Sequence, residues 1–418
     1  MKMQNFFVLM LQALSAQAAI AQIAVMPAIA SDYTLDVFGN ANMDGIIDEN
    51  DVQYLKEIID GKKEATDLAD ANYDGVINER DIAQIELIII GEENALTLID
   101  SADRVVTVKE PIERVVTLFL HPVETMRAIK VPVENVIVGL GHTDDVFYPE
   151  LCNVQNVGCF EPNVEGMLAL HPDVIILHAD FGNRFDKVHE VCESAGITVI
   201  RLNLNQPANY SDEVKKLGYL FGKNGEADEL IDFREDILNS IQEKAKSIPA
   251  DEKPKVYYES SKRYNSLGAE HSYIDFAGGI DIFNGSVGAV NPEEIVARNP
   301  DIIVKLVSYS AAGGYHLDAN NTTGLEVIRN EIMARPELQN VNAVKTGKVY
   351  VITSEISSTI SKSCRAFLQV AYNAKWFHPE LFKDLDPRSI HQEYLTRFQG
   401  SDIDLNKNGV FVYPLPEV

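Results

Sequence analysis

The chain is poor in cysteine, tryptophan and basic residues, and each scarcity closes off a class of function. Lys and Arg number 36 against 63 Asp and Glu, a formal net charge of −27. Binding a phosphate backbone needs a basic face, so nucleic acid is excluded as a partner. The four cysteines, Cys152, Cys159, Cys192 and Cys364, lack the close-paired spacing of a metal site. Cys152 and Cys159 fit either a small disulfide loop or free thiols, since a large domain needs no staple. No nucleophile elbow and no zinc-hydrolase spacing occurs. No catalytic residue is therefore assigned, although the abundant acids leave a carboxylate pair open. Beyond the N-terminal stretch no segment is apolar for long enough to suggest a membrane span.

That N-terminal stretch carries Lys2 and then no charge until Asp32. Phe6 to Met10 is apolar, and Ala28-Ile29-Ala30 before Ser31 has the small-x-small form of a signal peptidase site. Residues 1–30 are expected to be a signal peptide; a retained anchor is the other reading. No cysteine follows the apolar run, so a lipoprotein anchor is not indicated. The expected location is secreted or at the cell surface.

What is present begins with two matching loops in residues 31–93. In the first, Asn40, Asn42, Asp44, Asp48 and Asp51 take positions 1, 3, 5, 9 and 12, with Gly45 at 6. In the second, Asp70, Asn72, Asp74, Asn78 and Asp81 do so, with Gly75 at 6. A hard cation wants six or more oxygens, and the glycine permits the turn that wraps the chain round it. Each loop runs into one apolar helical stretch, from Val52 and from Ile82, closed by Gly61 and Gly91. The spacing is too short for two full helix-loop-helix hands.

One helix per loop, with Asp at position 12, resembles a dockerin module. The resemblance implies two calcium sites and a cohesin-containing partner that grips the exposed helix faces. Asn40 departs from the pattern, where an aspartate is usual, and the lost charge weakens the expected first site.

From residue 97 the texture changes. Short apolar runs (Arg114-Val-Val-Thr-Leu, Asp173-Val-Ile-Ile-Leu, Lys255-Val-Tyr-Tyr, Asp301-Ile-Ile-Val) alternate with helical stretches, which argues an α/β fold with mainly parallel sheets. Leu230, Phe233, Ile237, Leu238 and Ile241 recur at helical spacing and predict a long amphipathic helix over 226–248. One unit appears twice. Asn163-Val-Glu165 leads to Pro172-Asp173 and an apolar strand, and Asn291-Pro-Glu293 leads to Pro300-Asp301 and another. Each reads as an Asn-capped helix with an acid in its first turn, a Pro-Asp turn and a buried strand. Two such lobes on a spine are expected, lobe 1 over 97–225 and lobe 2 over 254–418.

This arrangement, with the opening Leu98-Ile-Asp-Ser-Ala-Asp-Arg-Val-Val and the C-terminal Ala374-Lys-Trp-Phe-His-Pro-Glu, resembles the helical-backbone class of ABC-transporter substrate-binding proteins. The fold it implies is two Rossmann-like lobes joined by a backbone helix, preceded here by the small all-α calcium-binding module. The resemblance makes Glu165 and Glu293 the carboxylates that dock on the permease; as first-turn acids they also complement a helix dipole, and the roles are compatible. Between the lobes the expected ligand contacts are Phe119, His121, His142, Phe160 and Phe181 on one side and Tyr258, Ser260, Arg263, Tyr309 and Arg365 on the other. Arginine would suit an anionic metal chelate, and His or Tyr a metal directly. The leading expectation is capture of an iron(III) chelate for an ABC importer, with cobalamin or haem as alternatives. A dockerin-borne polysaccharide-degrading enzyme and a structural adhesion protein are the rivals from other classes. In this reading residues 36–92 form a tether whose calcium binding is coupled to its own folding alone.

Overall fold

The computed structural model describes residues 34–416, apart from 145, 180–181, 205–209, 267–269, 287, 308–311 and 358–362. The expected signal segment lies outside the described residues, as do Phe181 and Tyr309.

Helices α1 (Glu49–Ile59) and α2 (Glu79–Ile90) follow the two loops. Each starts with a capping box. Asp48 and Asn78 accept a first-turn N–H, while the Asp51 and Asp81 carboxylates accept the N–H of the cap residue at 2.9 and 2.8 Å. The position-12 aspartates thus work for the helix as well as for the loop. Gly91 ends α2 in the left-handed conformation that favours glycine.

The two-helix unit is not free-standing. Strands β1 (Ala95–Ile99) and β2 (Val105–Lys109) form an antiparallel hairpin. The segment entering loop 1 lies along it, with Phe38 N–H donating to Thr97 O and Ile99 N–H to Asp36 O, both at 2.9 Å. Leu35, Val37, Ile47, Leu55, Ile85 and Ile88 share one continuous core with Leu96, Leu98 and one face of the lobe 1 sheet. Two short helices bury too little apolar surface to stand alone easily, and the hairpin supplies the missing side.

Lobe 1 is a five-stranded parallel sheet, β3 (Val115–Thr117), β4 (Ile137–Leu140), β5 (Gln155–Asn156), β6 (Val174–His178) and β7 (Thr198–Leu202), in the order β5-β4-β3-β6-β7. Helix α3 (Leu120–Ala128) follows β3, α4 (Val164–Ala169) precedes β6, and α5 (Tyr210–Leu220) follows β7. The spine is α6 (Asn224–Lys246), two residues ahead of the expected span. Its Ala227, Leu230, Ile231, Arg234, Leu238, Ile241 and Ala245 are buried at three- and four-residue spacing.

Lobe 2 repeats the plan. Strands β8 (Lys255–Glu259), β12 (Ile302–Val307) and β14 (Val349–Thr353) are parallel, with β10 (Ile280–Asp281) on the other side of β8. Antiparallel β9 (Asn265–Ser266), β11 (Gly288–Ala289) and β16 (Val412–Tyr413) widen the sheet, and β13 (Gly314–Asp318) pairs with β15 (Asn408–Val410). Helix α7 (Pro292–Arg298) leads into β12, and the fully buried α8 (Ala366–Phe377) lies against the spine, where Phe367 meets Phe233 at 5.9 Å.

The repeated Pro-Asp turn has a visible purpose. Asp173 accepts the backbone N–H groups of Glu113 and Arg114 at 2.9 and 2.8 Å, and Asp301 that of Lys255 at 3.0 Å. In each lobe this carboxylate pins the start of the neighbouring central strand, which sets the strand's register against the helix-strand unit. Among the described residues no helix is long and apolar enough to cross a membrane.

Candidate ligand-binding site

In both lobes the strand order reverses between the first parallel strand and its neighbour, β3 and β6 in lobe 1 and β8 and β12 in lobe 2. Open parallel sheets bind ligands beside the carboxyl ends of strands at such a switch point. What the chain places at these two points differs sharply.

In lobe 1, β3 runs out into Phe119 and His121, and β6 ends at His178. The rings of His121 and His178 are 5.1 Å apart at 84°, and Phe119 stacks on His121 at 5.6 Å. Phe119 also meets the edges of His178, Phe160 and Phe185 at 5.9, 5.7 and 6.0 Å. Phe119, His121, His178 and Phe185 are buried, whereas Phe160 is half exposed, with the Arg184 guanidinium 5.5 Å over its ring. A cation, two imidazoles and an open aromatic face thus meet at the carboxyl ends of β3 and β6.

Three expected residues, Phe119, His121 and Phe160, come together here; His178, Phe185 and Arg184 join them and were not foreseen. His178 is the last residue of a strand named for its apolar run, and its imidazole was the available signal. His142, partly buried, follows Gly141, where a side chain is impossible without movement. A Cβ there would stand 2.1 Å from the Leu118 carbonyl oxygen, in the chain leaving β3.

In lobe 2 the same point is filled. Glu259, at the end of β8, is fully buried and bonded to Lys305 at 2.8 Å and to Arg335 at 2.7 and 3.0 Å. Burial alone would raise the Glu259 carboxyl, but Arg335 and Lys305 outweigh it and hold it below its ordinary value. Lys305 also donates to Ser260 O at 2.5 Å. Tyr258 is therefore a core residue rather than a ligand contact, because alternation along β8 turns it inward. Ser260 is buried too, its hydroxyl 2.8 Å from Asn265 Oδ1. Arg263 is exposed but engaged, with Glu337 at 2.9 Å and Glu331 at 3.4 Å.

Arg365 requires the clearest correction. It is completely buried and spans the lobes, 2.7 Å from Glu124 of α3, with Tyr315 Oη at 2.7 Å and Glu355 at 3.3 Å. Tyr148 and Tyr394 donate to the same Glu124 carboxylate at 3.2 and 2.8 Å. Burial disfavours the guanidinium charge, yet Glu124, Tyr315 and Glu355 raise its pKa well above the usual value. With no exposed surface, the residue ties the lobes together through these partners. All four cysteines are free thiols, so Cys152 and Cys159 form no loop.

Residues 115–356 match the family profile described as "Periplasmic binding protein", more than half of the chain. The chain belongs to this periplasmic binding protein family. A Bacillus subtilis relative, "Uncharacterized ABC transporter substrate-binding lipoprotein YvrC", is 25% identical over 304 residues, covering 68% of this chain and 86% of the relative. A second from the same organism, "Iron-uptake system-binding protein", is 23% identical over 260 residues, covering 60% and 78%. Among solved structures, the TroA-like periplasmic binding protein FepB from Veillonella parvula superposes with TM-score 0.63 at 24% identity, covering 76% of this chain and 98% of that one. The molybdate-binding MolA of Haemophilus influenzae gives TM-score 0.58 at 18% identity, covering 73% and 98%. These two likenesses establish the fold.

As a periplasmic binding protein of the ABC-transporter kind, the chain is an extracytoplasmic carrier of a small ligand with a permease for partner. It is not an enzyme, which removes the polysaccharide-degrading alternative. Glu165 and Glu293 are exposed in the first turns of α4 and α7, one on each lobe, as the repeat predicts.

The family profile does not reach the N-terminal loops, so their fit to calcium rests on their own atoms. Every donor is an oxygen of the hard type calcium prefers. Among the described residues no three His, Cys, Asp or Glu side chains converge on a single point. Coordination would therefore draw on the side-chain amide oxygens and on main-chain carbonyls. Burial, with help from Asp44 and Asp48, pushes the Asp51 carboxyl up to about 6, and burial raises Asp81 likewise. Clustered, desolvated carboxylates of this sort are what a bound cation relieves.

Proposed function

We propose that this protein captures an iron(III) chelate of the siderophore kind outside the cell and delivers it to an ABC importer. The observation that carries the reading is the cluster at the β3/β6 switch point, where His121, His178, the aromatic rings and Arg184 meet. Imidazole suits a transition metal, and an exposed guanidinium over an aromatic face suits an anionic, aromatic-rich ligand. The relative named for iron uptake points the same way. Corrin or haem is the second reading, favoured by the apolar rings of Phe119 and Phe160.

Glu165 and Glu293 would seat on the permease, one per lobe. Residues 36–92 would act as a dockerin, holding calcium through Asp70, Asn72, Asp74, Asn78 and Asp81 of the second loop. A cohesin-containing protein would then grip the faces of α1 and α2 that stay open to solvent, among them Gln53, Lys56, Ala83 and Glu86.

The test is titration with a ferric catecholate, haem and cobalamin, each followed by its own absorption band. Trp376 is a poor reporter, because it is buried and stacked on Tyr350 at 4.6 Å. Saturable one-to-one binding of the ferric chelate is expected. Replacing His121 or His178 by Gln should weaken it by about tenfold or more, ~1.4 kcal/mol. Saturation by haem or cobalamin alone would move the ligand to the second reading. Binding untouched by either His substitution would remove the site.

A further inference from the structure

The two N-terminal loops match in sequence but not in surroundings. In loop 2 the first-position residue is Asp70, partly exposed, whose carboxylate accepts the N–H groups of Asp74 at 3.1 Å and Gly75 at 2.8 Å. Its oxygens line the turn, in the disposition a cation loop requires. In loop 1 the equivalent residue is Asn40, and it has no exposed surface. Its amide nitrogen donates to Leu35 O at 2.8 Å and Asp44 O at 2.7 Å, and its single oxygen accepts Asp44 N–H at 3.1 Å. A neutral side chain thus stitches the entering strand to the loop, the work a cation would otherwise do, and it presents N–H hydrogens where a second carboxylate oxygen would stand.

The far side of loop 1 is equally committed. Ile47 N–H, at loop position 8, is buried and donates to the Tyr219 hydroxyl of α5 at 2.8 Å. Asp36, just before the loop, lies 3.7 Å from the Lys216 ammonium on the same helix, which also holds Asp212 at 2.7 Å. With the Phe38 and Ile99 backbone bonds to the β1 hairpin, loop 1 is tied to lobe 1 from three directions. Among the described residues nothing comparable ties loop 2 to lobe 1. Val76 and Tyr73 at its tip are exposed, and the side chains of Asp70 and Asp74 bond to their own loop.

We infer that loop 1 is a fastening that locks the module onto lobe 1 and that a divalent cation is taken by loop 2 alone. The inference rests on the calcium reading given above for the cation and on the hydrogen-bonded seam for the fastening. The module then rides as a fixed part of the carrier and presents its outer face in one orientation relative to the ligand-binding lobes.

The experiment uses the full chain, stripped with chelator, re-equilibrated with calcium chloride and desalted. Bound calcium is counted by atomic emission, and amide exchange is followed on the same samples. One calcium per chain is expected, lost in Asp70→Asn and kept in Asp44→Asn. The Ile47 amide should be equally protected with and without calcium. Two calcium ions per chain, loss of the ion in Asp44→Asn, or loss of Ile47 protection on chelation overturns the division. Should no calcium bind, the calcium reading itself fails, and Tyr219→Phe decides the fastening. Ile47 exchange faster by about tenfold, as expected for a buried donor left without its acceptor, upholds it; unchanged exchange refutes it.

Discussion

Substituting Arg365 by Met should destabilise the whole two-lobed body and not one lobe. The guanidinium sits with no solvent exposure between Glu124 of lobe 1 and Glu355 of lobe 2. Removing it leaves two buried carboxylates facing apolar and phenolic neighbours. Breaking a buried pair by deleting one partner costs about 3–5 kcal/mol, because the remaining charge is uncompensated. Two phenols, Tyr148 and Tyr394, continue to donate to Glu124, which argues for the lower end, ~3 kcal/mol. Glu124→Met alone should cost a similar amount, since it takes from Arg365 its nearest carboxylate and leaves Glu355 at 3.3 Å. The double variant should cost well under the sum, with a coupling of roughly 1–3 kcal/mol. The assay is urea unfolding followed by circular dichroism, with spin-label distances between a site on α4 and a site on α7 as a second readout. If the pair sets the angle between the lobes, the single variants broaden that distance distribution and the double variant narrows it again. Additive free energies, or single-variant losses below ~1 kcal/mol, would refute the reasoning and make the contact incidental.

Other expectations follow from single environments. Burial and the neighbouring Glu93 push the Glu110 carboxyl up to about 8, in a cavity of about 470 Å³ between module and lobe 1 that Lys223 also lines. The folded state therefore holds the proton more tightly than the unfolded chain. Stability should fall as pH rises from about 4.5 towards 8, and Glu110→Gln should flatten that part of a urea-midpoint profile. Gly141→Ala drives a Cβ into the Leu118 carbonyl oxygen and should cost about 1–3 kcal/mol by urea unfolding while distorting the turn that carries His142. Glu165→Lys with Glu293→Lys should abolish stimulation of the reconstituted importer and leave ligand affinity unchanged; retained stimulation would remove both from the permease surface.

The larger architecture was legible in the sequence because it depends on local patterns. Asn-cap, first-turn acid, Pro-Asp turn and apolar strand each act within a few residues, and the repeat of Asn163–Asp173 in Asn291–Asp301 announces two lobes. The carboxylate clamps of Asp173 and Asp301 on the opposite strand were invisible, though they explain why the turn is Pro-Asp in both lobes. The site was legible only in part. Phe119 and His121 stand right after a strand, where a loop reading finds them, whereas His178 ends an apolar strand, and its imidazole was the one local sign of function. Arg365 failed for a physical reason. A lone arginine in a hydroxyl-rich loop looks solvent-facing until its partner, Glu124, is brought from more than 200 residues away. Tyr258 and Ser260 failed differently, because the buried Lys305 and Arg335 that close the lobe 2 crevice belong to other elements.

The distribution of the core bears on how these parts act on one another. Alternation along the lobe 1 strands sends Val174 and Ile176 to one face and Ile175 and Leu177 to the other. The first face belongs to a single continuous core that takes in the N-terminal module, the spine and the cross-lobe residues Tyr148, Tyr315 and Tyr394. The second face is a separate cluster containing Phe119 and Phe185, beneath the candidate crevice. A close-packed interior transmits strain within a cluster more readily than across a sheet. Disturbance of loop 1 should thus reach the spine and the Arg365 lock before it reaches the histidines, and the module is coupled first to the angle between the lobes and only through that angle to the ligand. Such coupling has a measurable sign: Tyr219→Phe should alter the inter-lobe distance distribution in the unliganded protein while leaving the environment of His121 and His178, read from their ring NMR signals, in place.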